Sequence, residues 1–258
     1  MTIRILSLGA GVQSTTLALM IARGDLPPVD GAIFSDTGWE PKAVYRHLEW
    51  LKTVLPYPVH IVSAGNIRDD AIAKTKSTGQ RFASIPWFTL SKDKTGMNRR
   101  QCTKEYKLLP LQRKVVELLG GKRPRGGCEM LVGISLDEAW RSKPSRVQYI
   151  RNVFPLLEKQ MTRQDCLRWM EERQYPRPPK SSCIGCPFHD DNQWRALEPD
   201  EFADAVEVDR AIRHQPGMRS QLFMHRSRKP LDEVDFSTAE ERGQLNLFLN
   251  EYEGMCGV

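Results

Sequence analysis

Ile3-Arg-Ile-Leu-Ser-Leu8 runs directly into Gly9-Ala-Gly11 and then into Val12-Gln-Ser-Thr-Thr16. The first six residues are a β-rich run. The glycines break it, and Leu17 to Ala22 continues as an apolar helical segment that Gly24 and Pro27-Pro28 close. Glycines inside the apolar stretch make it a strand and a turn rather than a signal peptide. A strand, a glycine-rich turn and a helix together form a phosphate cradle. The glycines let the backbone curl close to oxygens, the N–H groups point inward, and the helix dipole favours negative charge. Ser14, Thr15 and Thr16 add hydroxyl donors. The loop lacks the Gly-Lys-Ser/Thr of a Walker A motif and the GxGxxG dinucleotide fingerprint.

Outward from this stretch, strands and helices alternate. Val29 to Ser35 is a second strand, and Pro41 suits the first turn of a helix carrying Val44, Leu48 and Leu51 at i, i+4 and i+7. Val59 to Ser63 is a third strand. Leu108, Leu111, Val115 and Leu118 trace a helical face, and Met130 to Ile134 is a fourth strand. Such alternation predicts an α/β fold, a Rossmann-like parallel sheet with helices on both faces. Beyond residue 155 the pattern turns helical: a capping box at Thr162-x-x-Asp165 opens a helix to about Gln174, and residues 199–214 and 237–250 (opened by Ser237-x-x-Glu240) look helical. No strand is expected there. The expected organisation is a nucleotide-binding domain over 1–155 with a basic insert at 64–107, followed by a helical, cysteine-bearing lobe over 156–258.

The chain has 258 residues, 40% hydrophobic and 27% charged, which excludes collagen-like, low-complexity and mostly disordered classes. No run approaches the roughly 18 apolar residues of a membrane span, so a soluble cytoplasmic protein is expected. The net charge of +6 is local: Lys74 to Lys107 holds nine basic residues against Asp93 and Glu105, and the remainder carries −1. Such a patch fits a polyanion, either a nucleotide's phosphates or a nucleic-acid backbone; alternatively it is a solvated loop. Arg99, Arg100, Lys104 and Lys107 flank Cys102, and Arg141 and Lys143 follow the fourth strand. Trp39, Trp87 and Phe88 could stack a base or belong to the core.

Six cysteines are present. In a chain read as cytosolic, Cys183-Ile-Gly-Cys186 points to metal or redox chemistry rather than a disulfide. Thiolates at this spacing hold zinc or an iron–sulfur cluster. His189 offers a nitrogen for a closed zinc site with Cys102, Cys183 and Cys186. Cys166 is the other candidate fourth ligand, or else a buried residue beside Leu167 and Trp169.

Taken together, Ser7-Leu-Gly-Ala-Gly-Val-Gln-Ser-Thr-Thr16, Phe34-Ser-Asp-Thr-Gly-Trp-Glu40, Arg99 to Leu111, Gly133 to Arg141 and Ser181 to His189 resemble the phosphoadenosine-phosphosulfate-reductase-like family of the PP-loop superfamily, which includes relatives that thiolate nucleic acids. The resemblance spans roughly residues 3 to 215. It implies an ATP site at Ser7, Gly9, Gly11, Gln13, Ser14, Thr15 and Thr16, and catalytic roles for Asp36, Lys107, Glu138 and Arg141. It places a cluster ligand at Cys102, so that Cys102, Cys183, Cys186 and Cys166 would hold a [4Fe-4S] cluster, with zinc as the alternative. Gln13 departs from the superfamily's usual Asp; an amide is a poor Mg²⁺ ligand, so Asp36, Asp137 or Glu138 would have to help hold the ion.

The implied function is ATP-dependent sulfur transfer to a nucleic acid or related acceptor. ATP would adenylate an oxygen, pyrophosphate would leave into the loop, and sulfur from a donor would displace AMP. The implied partners are an adenine nucleotide, the acceptor and the sulfur donor, and a homodimer is compatible. The alternatives are a phosphoadenosine- or adenosine-phosphosulfate reductase, with Cys256 as nucleophile, and a zinc-stabilised nucleotide or nucleic-acid binding module.

Overall fold

A computed structural model describes residues 2–73, 85–92, 94–214, 219–238 and 241. The chain forms two compact units. The first runs through Ala64 and resumes at Tyr106–Ser181. The second comprises Gly65–Glu105 and the chain from Ser182. Gly65–Glu105, most of the basic insert, thus shares one unit with the Cys183/Cys186 loop, while residues 156–181 belong to the unit of the glycine-rich loop.

In the first unit, β1 (Ile3–Leu8), β2 (Gly31–Asp36), β3 (Val59–Ser63), β6 (Cys128–Val132) and β7 (Ile150–Val153) form one sheet in the order β3-β2-β1-β6-β7. All four pairings are parallel, so the expected α/β fold is present. The period of two sorts the strand side chains. Leu6, Leu8, Ala32, Phe34 and Leu131 enter one core with residues of α1 (Val12–Arg23), α2 (Lys42–Val54) and α6 (Arg163–Glu171). Ile5, Ile33, Cys128, Met130 and Val132 enter the other with Leu111 and Val115 of α4 (Leu109–Leu118). The middles of the central strands (Ile5-Leu6, Ala32-Ile33-Phe34 and Met130-Leu131-Val132) are therefore apolar on both faces, as in sheets covered on both sides. The fourth strand begins at Cys128 rather than Met130, and β7 adds an edge strand that the sequence pattern does not show.

The second unit adds a small sheet, of which one short strand falls in the mainly helical lobe expected beyond residue 155. β4 (Phe88–Leu90) pairs antiparallel with both β5 (Thr95–Met97) and β8 (Gln221–Phe223). At three residues, β8 is too short for periodicity to reveal and exists through its long-range pairing. Helices α3 (Ile67–Ile72), α7 (Asp191–Arg195) and α8 (Pro199–Ile212) also belong to the unit. Arg68 joins α3 to α8 through Asp204 at 2.6 Å and Glu207 at 2.8 Å. Buried Asp209 accepts hydrogen bonds from the Met224 and Leu231 backbone N–H groups at 2.8 and 3.1 Å and pairs with Arg213. Most of the expected helix at 237–250 lies outside the described residues. At its start the reciprocal capping bonds are made by Thr238 and Glu241, one residue later than expected.

Among the described residues, no helix is long and apolar enough to cross a membrane.

Candidate nucleotide site

The strand order reverses at β1, with β2 and β3 to one side and β6 and β7 to the other. In open parallel sheets, the crevice beyond the strands' carboxyl ends at such a point is where ligands bind. Two segments meet there. Gly9–Gly11 leads from β1 into α1, and Gly133–Ser135 leads from β6 into a 3₁₀ turn at Leu136–Arg141. Their approach is tight: a methyl added at Gly133 would lie 2.8 Å from the Ser14 nitrogen and 3.0 Å from the Gln13 carbonyl carbon. At Gly11 a methyl would lie 2.6 Å from Ser181 Oγ, a side-chain hydroxyl that would have to turn away.

Inside the loop, Ala10 takes a left-handed conformation (φ 54°), which costs energy for a residue with a Cβ. Ser14 Oγ holds the curve by accepting from the Gly9 N–H at 3.1 Å and donating to the Gly11 carbonyl at 3.3 Å. Gly11 is the N-cap of α1 and offers no side-chain cap, so the N–H groups of the first turn keep their capacity for an anion.

The sequence-predicted residues divide by role. Ser7 lies in β1, and Gly9, Gly11, Gln13 and Ser14 form the loop and its helical start. The Thr15 and Thr16 hydroxyls turn inward: Thr15 Oγ1 lies 3.0 Å from His47 Nε2, and Thr16 Oγ1 donates to the Val12 carbonyl at 2.9 Å. Both threonines are fully buried. Gln13 Nε2 donates to Ser135 Oγ at 3.3 Å and reaches Glu138 Oε2 at 3.5 Å. Glu138 in turn pairs with Arg141 at 2.8 Å. Gln13, Glu138 and Arg141 thus form one chain across the loop mouth.

Asp36 ends β2 and accepts from Tyr45 Oη and the Gly38 N–H, both at 2.8 Å. Burial, reinforced by Asp36, pushes the Tyr45 phenol well above its usual range, so it remains the proton donor in that bond. Lys107 Nζ lies 3.5 Å from buried Glu40, which accepts from Thr37 Oγ1 at 3.0 Å. Ser35 Oγ ties the Lys107 carbonyl to β2 at 2.9 Å. Carboxylates therefore already pair with both Lys107 and Arg141, and an arriving phosphate would share those cations.

Glu40, Tyr45, His47, Ser135 and Ser181 were not singled out from sequence. For His47 a signal existed, since it falls three residues after Val44 on the apolar stripe of α2. Trp39 and Trp87 are 3% and 0% exposed, so they are core residues and not base-stacking surfaces.

Cys102, Cys183 and Cys186 are half-buried in the second unit, where the Cys186 N–H closes a turn onto the Cys183 carbonyl at 3.0 Å. His189 is buried, with Nε2 bonded to Ser182 Oγ at 2.7 Å, a bond that fixes the ring and leaves Nδ1 as its other nitrogen. Cys166 sits fully buried in the apolar core of the first unit, and burial pushes its thiol up to about 12. It is a core residue, not a ligand.

Among the described residues, no group of three or more His, Cys, Asp or Glu side chains is placed to hold a metal ion. Of the carboxylates near the loop, Asp36 accepts from Tyr45, Asp137 accepts from the Arg163 N–H at 3.0 Å, and Glu138 is paired with Arg141. Cys256 lies outside the described residues.

In fold, the chain is similar to the crystal structure of phosphoadenylyl-sulfate (PAPS) reductase from Candida auris in a phosphate complex. The TM-score is 0.42 and the identity 14%, over 69% of this chain and 76% of that one. No family model matches the sequence, and no curated protein matches it.

Proposed function

We propose that this chain is a nucleotide-utilising enzyme of the PP-loop type, which activates an acceptor with ATP and passes sulfur to it. The observation that carries the reading is the Gly9–Ser14 loop at the strand-order reversal, held open by its own serine and packed against Gly133. There the loop N–H groups and the α1 dipole face an anion, and Gln13 and Arg141 lie at the mouth. ATP seated with its phosphates in the loop would present its α-phosphorus to an acceptor oxygen. The oxygen–phosphorus bond forms as the bond to pyrophosphate breaks, and the developing charge on the leaving group falls on the loop N–H groups with Arg141 and Lys107.

The sulfur half of the reading is supported by the three half-buried thiols Cys102, Cys183 and Cys186. The nucleic-acid acceptor is supported by the local excess of basic residues, of which Lys92, Lys94, Arg99, Arg100, Lys104 and Lys107 are described.

Equilibrium binding of ATP and acceptor-stimulated pyrophosphate release test the reading. The unaltered protein should bind ATP. Ser14→Ala, which removes the clasp between Gly9 and Gly11, should weaken binding by about tenfold, or ~1.4 kcal/mol. A protein that binds neither ATP nor pyrophosphate would overturn it.

A further inference from the structure

Of the six tryptophans, Trp39, Trp87 and Trp194 are buried, and Trp50 and Trp169 pack against the core. Trp140 is 65% exposed. An indole left in water forgoes the largest apolar burial any side chain offers, and tryptophans so placed are enriched where a partner covers them.

The position is specific. Trp140 lies in the 3₁₀ turn Leu136–Arg141, between Glu138, which contacts Gln13 of the loop, and Arg141. Leu136, also in the turn, is 46% exposed, and Lys143 and Arg146, just beyond it, are exposed cations. The backbone beneath is fixed: the Leu136 N–H donates to the Met161 carbonyl at 2.8 Å, Ser142 Oγ to Ala139 at 2.6 Å, and Asn152 Nδ2 to Lys143 at 3.0 Å. The aromatic is therefore displayed on a turn that needs no further ordering to bind.

We infer that Trp140 is a stacking platform for an unpaired base of a single-stranded nucleic acid, with Lys143 and Arg146 taking its phosphates. A flat π-face beside exposed cations is the chemistry by which single strands are held, whereas a duplex hides its base faces. A purely apolar protein partner would have to desolvate both cations. The inference rests on the proposed function for its purpose, delivery of an acceptor base to the nucleotide loop, and not for the binding itself.

The test uses the full chain with a fluorescent single-stranded oligonucleotide, made as DNA and as RNA, and the matching duplex. Loss of one base stack predicts that Trp140→Ala weakens single-strand binding by about 5- to 150-fold. Trp140→Phe, which keeps an aromatic face, should recover most of that loss, and the strand should quench tryptophan emission in the unaltered protein. The side chain is exposed, so circular dichroism should show both variants folded. Equal single-strand affinity in Trp140→Ala would overturn the inference. So would duplex binding as tight as single-strand binding, or self-association that Trp140→Ala abolishes. ATP binding by the unaltered protein is measured separately. If ATP binding fails while Trp140-dependent strand binding holds, only the proposed function falls; the converse removes only this inference.

Discussion

His47 carries an ionisable ring into a nearly dry place, and burial pushes its pKa down to about 4 from 6.5. The neutral imidazole can then hold Thr15 at 3.0 Å. In the unfolded chain the ring takes a proton near pH 6.5, but the folded chain refuses it until about 4. The unfolded state binds more protons across that window, so stability should fall as pH drops from about 6.5 to 4, by about 3 kcal/mol. His225 and the more exposed His60 are shifted in the same direction. Urea unfolding at pH 7 and pH 4.5 checks this, and His47→Gln should flatten the dependence by removing the largest share. Gly133→Ala tests the loop contact: its methyl meets Ser14 and Gln13 backbone, which cannot swing aside. ATP affinity should drop by about tenfold or more, with the circular dichroism spectrum retained. Gln13 and Ser14 were legible as residues at the start of a helix, because the glycines after a β-rich run break the strand just before them. Tyr45 and His47 were not, because their partners Asp36 and Thr15 are set by how α2 packs and not by any local motif.

Elements whose ends are fixed by their own residues were the easiest to read. Thr162 and Asp165 make the expected capping box of α6, with reciprocal bonds of 3.2 and 3.0 Å. Thr162→Ala should cost about 1 kcal/mol in chemical denaturation. The helix at Pro199–Ile212 also lies where its periodicity places it. β8 escaped because its three residues become a strand only beside Phe88–Leu90. Burial separates the cysteines by element: Cys128 in β6 and Cys166 in α6 are buried, and desolvation pushes both thiols to about 12. At pH 8 only about one in 10⁴ of either is thiolate. Mass spectrometry after iodoacetamide treatment should therefore find these two unmodified in the folded protein and modified once it is unfolded, whereas half-buried Cys102, Cys183 and Cys186 should react first.

At the scale of the whole molecule, Asp209 shows how distant segments are joined: from α8 it receives the backbone of Met224 and Leu231. Asp209→Ala would strand those donors and leave Arg213 without its carboxylate, at a cost of about 3–5 kcal/mol. Faster amide exchange in β4, β5 and β8 would be the measurable sign. The sequence alone determined the alternation of strands and helices, the glycine-rich loop after β1 and the caps of α6, because each follows from side-chain periodicity or hydrogen bonds within a few residues. Tertiary structure alone decided the strand order that puts the loop at a reversal and the pairing of Gln13 with Ser135 and Glu138. It also grouped residues 65–105 with the chain from Ser182, buried Trp87 and left Trp140 in water. The physical reason is range: these outcomes depend on contacts between residues many tens of positions apart, and the sorting of apolar side chains between core and solvent is settled only when those contacts form.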